Sequence, residues 1–209
     1  MLLVKCLVVP PLDANCYIVA AEGAREAAVI DPGGAGDGIR DSVAQADLVV
    51  AAILLTHGHF DHMTAAVELA ISSGAPVYAH PADAGMLARP QAQMPGVVDD
   101  SVPGVKEMRP VEEGDEIEVG DLRMTVLETP GHSPGCVCYL TEGAIFTGDT
   151  LFAGGIGRTD LPGGDFEQLR ASLRDKILPL PDDTTVYPGH GPESTIGEER
   201  QTNPWVADL

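Results

Sequence analysis

Aromatic residues, cations and long apolar runs are all scarce in this chain of 209 residues, and each shortage excludes something. With aromatics at 4% against 44% hydrophobic residues overall, the interior has to be built from Ala, Val, Leu and Ile, as in a globular α/β protein. Twelve Lys and Arg face 32 Asp and Glu, a formal charge of -20 whose field repels polyphosphate before contact. Nucleic acid and anionic membrane surfaces are therefore poor partners, and a small anionic substrate needs a local cationic patch beside its site. No window approaches the roughly 20 apolar residues that span a bilayer. The stretch from Met1 to Tyr17 is broken by Lys5, Pro10 and Pro11 and has no cationic leader. It reads as a first strand, and the expected location is the cytoplasm.

Cysteine is too sparse for the dense disulfide framework of small secreted proteins. Cys6, Cys16, Cys136 and Cys138 lie on apolar, strand-like stretches and read as buried free thiols. Cys136 and Cys138, two apart on a strand, are too close for an unstrained disulfide.

What is present is an alternation of short apolar runs with helical patterns, which predicts one layered α/β domain over residues 1–209. Strands are expected at Leu2 to Val9, Cys16 to Ala21, Ala27 to Ile30, Leu48 to Leu55, Val77 to Ala79, Glu116 to Val119, Leu122 to Leu127, Val137 to Leu140, Ala144 to Thr147 and Thr184 to Tyr187. Helices are expected at Asp37 to Ala46, His62 to Ser72, Pro81 to Ala88 and Phe166 to Leu178. The last carries Phe166, Leu169, Leu173 and Ile177 at helical spacing behind a cap at Asp165 and Gln168. Residues Arg89 to Pro110 hold four prolines with little periodicity and predict a long ordered loop beside a functional face.

Of the 6 histidines, three fall in one run, Thr56-His57-Gly58-His59-Phe60-Asp61-His62, directly after the strand ending at Leu55. Three more candidate ligands share that setting. His132 follows Thr129-Pro130-Gly131, Asp149 follows Gly148, and His190 follows Pro188-Gly189, each just past a predicted strand and beside a glycine that lets the backbone turn. Strand ends at one edge of a layered fold converge. His57, His59, Asp61, His62, His132, Asp149 and His190 then offer seven donors, more than one tetrahedral ion takes, so two ions are expected. Nitrogen and oxygen donors without cysteine suit zinc first, with iron or manganese also able to occupy such a site. His80, which precedes Pro81 and has no ligand type beside it, is left outside.

The pattern from His57 to His62, with His132, Asp149 and His190, resembles the metallo-β-lactamase superfamily along nearly the whole chain. The resemblance implies an αββα sandwich with a dinuclear site at one edge. His57, His59 and His132 would hold one zinc, Asp61, His62 and His190 the other, and Asp149 would bridge them. Gly148 to Phe152, Gly157 to Asp160 and Pro188 to Pro192 are similar to the short glyoxalase II-like hydrolases. That likeness implies hydrolysis of a thioester of the hydroxyacylglutathione type by a metal-bridging hydroxide, with Asp61 and Asp149 as catalytic residues and a small-molecule thioester as partner. Arg158, the one Lys or Arg between Arg123 and Arg170, stands where glyoxalase II holds a glutathione carboxylate. It is expected either to bind substrate or to pair with Asp160 or Asp165. This chain has Asp160 and Pro192 where glyoxalase II has thiol-binding tyrosines, and is expected to be without its C-terminal helical domain.

Two other functions remain open at this point. Gly131 to Cys136 and Gly157 to Asp160 also resemble the persulfide dioxygenases, which implies a single iron on His57, His132 and Asp149. The other is a non-catalytic metal-binding module.

Overall fold

Apolar residues occupy both faces of the central strands and one face of edge strands such as Glu116–Val119, and the buried side chains sort into three separate cores. In the computed structural model, which describes Met1 to Leu209, the first half of the chain forms one six-stranded sheet. Its strands run in spatial order β1 (Leu2–Val9), β2 (Ala14–Ala21), β3 (Glu26–Ile30), β4 (Val49–Leu54), β5 (Val77–Ala79) and β6 (Arg109–Pro110). The first three are antiparallel meanders, and β3 to β6 are parallel. The second half forms another six-stranded sheet from β7 (Glu116–Val119), β8 (Leu122–Glu128), β9 (Val137–Thr141) and β10 (Ala144–Gly148). A small hairpin of β11 (Leu151–Phe152) and β12 (Gly155–Ile156) follows, and β13 (Thr185–Pro188) and β14 (Ser194–Thr195) then complete that sheet.

The three cores define the layers. Tyr17, Val19, Ile30 and Leu54 from the first sheet meet Met124, Val126, Tyr139 and Phe146 from the second, so the sheets pack face to face. The opposite face of the first sheet, with Cys16, Ile18, Val29 and Ile53, buries Ile39 and Val43 of α1 (Gly36–Gln45) and Leu69 of α2 (Ala66–Ser73). A short α3 (Ala84–Leu87) lies on that side, its Leu87 in the same core. The outer face of the second sheet, with Cys138, Ile145 and Val186, buries Leu169 of α4 (Phe166–Ser172) and Ile196 of α5 (Ile196–Thr202). Helix, sheet, sheet, helix is the αββα order that the family resemblance implied. No helix is long and apolar enough to cross a membrane.

The ten expected strands are present, with one- or two-residue differences at their ends, and the structure adds four two-residue strands: β6, β11, β12 and β14. Three helices depart from expectation. His62 does not open an α-helix: Phe60–His62 form a single 3-10 turn, and α2 begins only at Ala66. A regular helix would put His59 and His62 three apart on one face, whereas His59 here is the cap of the turn in extended backbone and reaches a different partner. Pro81 to Ala88 is likewise a 3-10 turn, Pro81–Asp83, followed by α3. The helix from Phe166 loosens into a π-type turn at Leu173–Ile177, with the Asp165 side chain accepting from the Gln168 backbone N–H as expected. The unexpected α5 carries a legible signal, a capping box between Thr195 and Glu198.

The expected loop from Arg89 to Pro110 is ordered. It holds a 3-10 turn at Pro90–Ala92 and a bridge between Pro95 and Val98, and it enters the sheet as β6.

Candidate metal centre

Each of the seven candidate ligands sits at the end of a strand. His57, His59, Asp61 and His62 follow β4, His132 follows β8, Asp149 follows β10 and His190 follows β13. Hydrogen bonds between the sheets pull these ends together. The Tyr139 hydroxyl donates to the Leu55 carbonyl at 2.8 Å and the Val137 N–H to the Thr56 carbonyl at 2.8 Å. On the other side the Tyr17 hydroxyl donates to the Pro188 carbonyl at 2.7 Å. The Asn15 amide donates to the carbonyls of Pro188 and Gly191, at 2.9 and 2.8 Å. These bonds fix the turn that carries His190. Gly189 is required there by close approach, since a Cβ would lie 2.2 Å from Asp149 Oδ1 and 2.9 Å from His62 Cε1.

Two trios result. His57, His59 and His132 form one and Asp61, His62 and His190 the other, with the donor atoms of each lying within 4.8 Å of one another. Asp149 stands between them. Its Oδ2 is 3.4 Å from His132 Nε2 in the first trio, and its Oδ1 is 3.4 Å from His62 Nε2 and 3.8 Å from His190 Nε2 in the second. Asp61 Oδ2 lies 3.3 Å from His190 Nε2 and 3.6 Å from His62 Nε2.

Three of the four buried side-chain polar atoms with no hydrogen-bond partner are His57 Nε2, His62 Nε2 and Asp149 Oδ1. An orphaned buried donor or acceptor costs about 1–3 kcal/mol, and all three point into the same cluster. Cations on the two trios would satisfy them. The residues present therefore fit a metal-binding site, and their nitrogen and oxygen chemistry suits zinc, iron or manganese.

A carboxylate absent from the expected set orients the rings. Asp31, buried at the end of β3 with φ of 50°, accepts from the Thr56 backbone N–H at 2.7 Å, from the Thr56 hydroxyl at 2.6 Å and from His62 Nδ1 at 3.0 Å. Because the Thr56 hydroxyl donates to Asp31, it accepts from His57 Nδ1, 3.0 Å away. One carboxylate thus places the proton on Nδ1 of two imidazoles and leaves both Nε2 lone pairs for the cluster. His132 is fixed in the same way, its Nδ1 donating to the Arg158 carbonyl at 2.7 Å. Asp31, His57 and His62 also meet the distance test for a metal group, but both Asp31 oxygens are occupied, so its part is to orient. Asp31→Ala is expected to weaken metal binding by about 10–100-fold, measured by competition with a chelating dye. Unchanged affinity would remove Asp31 from this role.

Electrostatics separate the trios. Burial, reinforced by the neighbouring imidazoles, holds His57 far below the usual imidazole range. Burial and the His132 ring bring His59 down to about 4. His57 and His59 therefore present neutral nitrogen donors. At His62 burial opposes charge, but Asp149, Asp31 and Asp61 together outweigh it and raise the ring to about 10. Burial likewise works against ionisation of Asp61, yet its hydrogen bond with His190 and the charge of His62 hold it at about 2.

All seven predicted ligands are brought together. Arg158 contributes its backbone carbonyl; its exposed guanidinium instead makes a two-pronged pair with Asp160, Nε and Nη2 each at 2.7 Å from a carboxylate oxygen. His80 stays outside, 3.2 Å from Glu128. All four cysteines are free as expected, but Cys6 is exposed on β1, the first strand of its sheet, where one face meets solvent.

Two further residues went unread in the sequence. Buried Asp83 accepts from the Gly58 and Gly135 backbone N–H groups, each at 2.8 Å, and from the Ser133 hydroxyl at 2.6 Å. It locks the His57–His62 loop to the loop bearing His132. Gln93 accepts from the Phe60 N–H at 3.1 Å and donates to the Gly58 and Met86 carbonyls at 2.8 and 3.2 Å. For Asp31 the sequence held a clue: it too ends a strand, before Pro32, Gly33 and Gly34.

The sequence profile of the metallo-beta-lactamase superfamily matches residues 9–190. The chain belongs to that superfamily. It is 39% identical over 201 residues to "Probable metallo-hydrolase YqgX" of Bacillus subtilis, covering 95% of this chain and 94% of that one. It is 35% identical over 212 residues to "Hydroxyacylglutathione hydrolase GloC" of Haemophilus influenzae, covering 97% of each. Among solved structures, the BLEG-1 B3 metallo-beta-lactamase superposes with a TM-score of 0.88 at 37% identity over 99% of both chains. TTHA1623 in a di-iron-bound form gives 0.87 at 38% identity, over 96% of this chain and 99% of that one. The fold is the metallo-β-lactamase fold, and the chain is a metal-dependent hydrolase of this superfamily whose metal-binding cluster is the His and Asp set above.

Proposed function

We propose that the chain hydrolyses a thioester of the hydroxyacylglutathione type, using two zinc ions. Asp149 carries the reading: its two carboxylate oxygens face different trios, His132 on one side and His62 on the other. His57, His59 and His132 would hold one ion, Asp61, His62 and His190 the second, and Asp149 would join them. Bound there, such ions supply a water acidic enough to attack near neutral pH and a Lewis acid for the carbonyl oxygen.

The chain's own part is preorganisation. Asp31 and the Arg158 carbonyl hold three rings in one tautomer. Asp83 keeps the two ligand loops at fixed separation. Asp61, 9% exposed at its side chain and held ionised, is the carboxylate that orients the nucleophile. The GloC relative supports the thioester assignment, and the charge of -20 favours a small-molecule partner over nucleic acid or an anionic membrane.

A single iron on His57, His132 and Asp149 would leave His62 Nε2 orphaned between Asp61 and Asp149. Iron in both positions is favoured over that by the di-iron form of TTHA1623. The deciding experiment is to purify the protein without added metal, measure zinc, iron and manganese per chain, and assay a panel of thioesters. Two metals per chain with no thioester turned over would overturn the reading and leave a metal-binding module.

Arg158 enters this proposal as a contact for an anionic thiol moiety that takes the place of Asp160. Exposed ion pairs exchange within about 1 kcal/mol, so Arg158→Ala is expected to raise KM no more than about fivefold. A larger rise would make Arg158 a principal substrate anchor.

A further inference from the structure

Beside the first trio lies a cavity of about 310 Å³ whose wall includes His59. Phe60, Met86, Met94 and Leu161 make it apolar, and Arg89 lines it as well. The volume is at the small end of ligand sites, which run from roughly 300 to 1,000 Å³. Two methionines give it walls that adjust to a flexible chain. The cavity is also prebuilt. Gln93, in its lining, ties the Pro90 loop to Gly58 and Phe60 of the ligand loop and to Met86, so an occupant does not have to order that loop.

Arg89 is the one Lys or Arg in the lining. Seven of the twelve Lys and Arg in the chain, Arg40, Arg123, Arg158, Arg170, Arg174, Lys176 and Arg200, have a carboxylate partner within 4.0 Å. Arg89, like Lys5, Arg25, Lys106 and Arg109, has none, and its side chain makes no hydrogen bond, although the chain carries 32 Asp and Glu. Arg89, exposed and unpaired in the wall of a cavity that reaches the metal cluster at His59, answers the need for a local cationic patch better than Arg158, which is already engaged by Asp160.

We propose that this cavity receives one arm of the substrate, a short apolar chain ending in a carboxylate, and that Arg89 is the residue that selects the anionic end. The inference deepens the thioester reading and rests on it for the reaction, but the cavity's preference is measurable by binding alone. Two thioesters of one thiol, with a glutaryl arm and with its neutral glutaramoyl counterpart, would be compared in the metal-loaded enzyme. The ratio of their kcat/KM values should favour the carboxylate and fall about tenfold in Arg89→Ala, with partial recovery in Arg89→Lys. A ratio within twofold of wild type overturns the proposal.

Calorimetric titration of the metal-loaded protein with monomethyl glutarate and with methyl glutaramate decides it independently of turnover. Tighter binding of the anion that disappears in Arg89→Ala supports the proposal. A preference for the anion that survives the substitution, or no preference, overturns it. Failure of both thioesters to react would count against the hydrolase reading, while the titration would still settle the cavity.

Discussion

Asp149→Ala is expected to lower kcat/KM for thioester hydrolysis by about three orders of magnitude or more, with the far-ultraviolet circular dichroism unchanged. Each tenfold loss corresponds to about 1.4 kcal/mol, so the loss asks for roughly 4 kcal/mol, in the range a bound ion supplies to a developing charge. The size follows from position. Asp149 is the one carboxylate with an oxygen 3.4 Å from a ligand of each trio, so its removal takes a donor from both sites and the link between them. Backbone geometry should survive, because the Asp149 side chain makes no hydrogen bond that holds a loop. Wild-type turnover in this variant would sink the bridged arrangement, and metal counting would show whether one ion or two had been lost.

Stripping the metals should abolish activity and lower the melting temperature together. Without cations, Asp31, Asp61 and Asp149 crowd around His62, and the buried Nε2 of His57 has no hydrogen-bond partner. Ions at about a thousandfold above their dissociation constants stabilise the native state by about 4 kcal/mol. For a chain of this length 1 kcal/mol moves the melting temperature by about 2–4 °C, so a chelator should lower it by about 8–16 °C. Adding zinc back should restore both properties. A shift below about 2 °C would mean that the cluster holds its ions weakly and that the fold stands without them.

Much of the centre was legible because its elements are local. His57 to His62 is one run, and the turn residues Gly131, Gly148 and Gly189 mark where His132, Asp149 and His190 leave their strands. Asp31 was not read because its role arises from a parallel pairing. Ile30 lies opposite Leu54 across β3 and β4, so the residues that follow, Asp31 and Thr56, meet beyond the strand ends. Spacing alone does not show which two strands are neighbours. The helix expected from His62 was misplaced for a related reason: the ligands His59 and His62 belong to different trios, with His59 in extended backbone and His62 closing a single 3-10 turn, and α2 begins only after them. At Arg158 the sequence allowed Asp160 or Asp165 as partner, and a side-chain conformation in the exposed loop chose Asp160.

From the residue order alone come the donor types, their number and their place at strand ends, because apolar alternation and turn glycines act over a few residues. The three-dimensional arrangement decided which donors share a cation, that Asp31 sets the ring tautomers, and that Arg89 stands free at an apolar cavity. Those relations join residues from 25 to well over 100 positions apart, and only the packing of one sheet on the other brings them within reach.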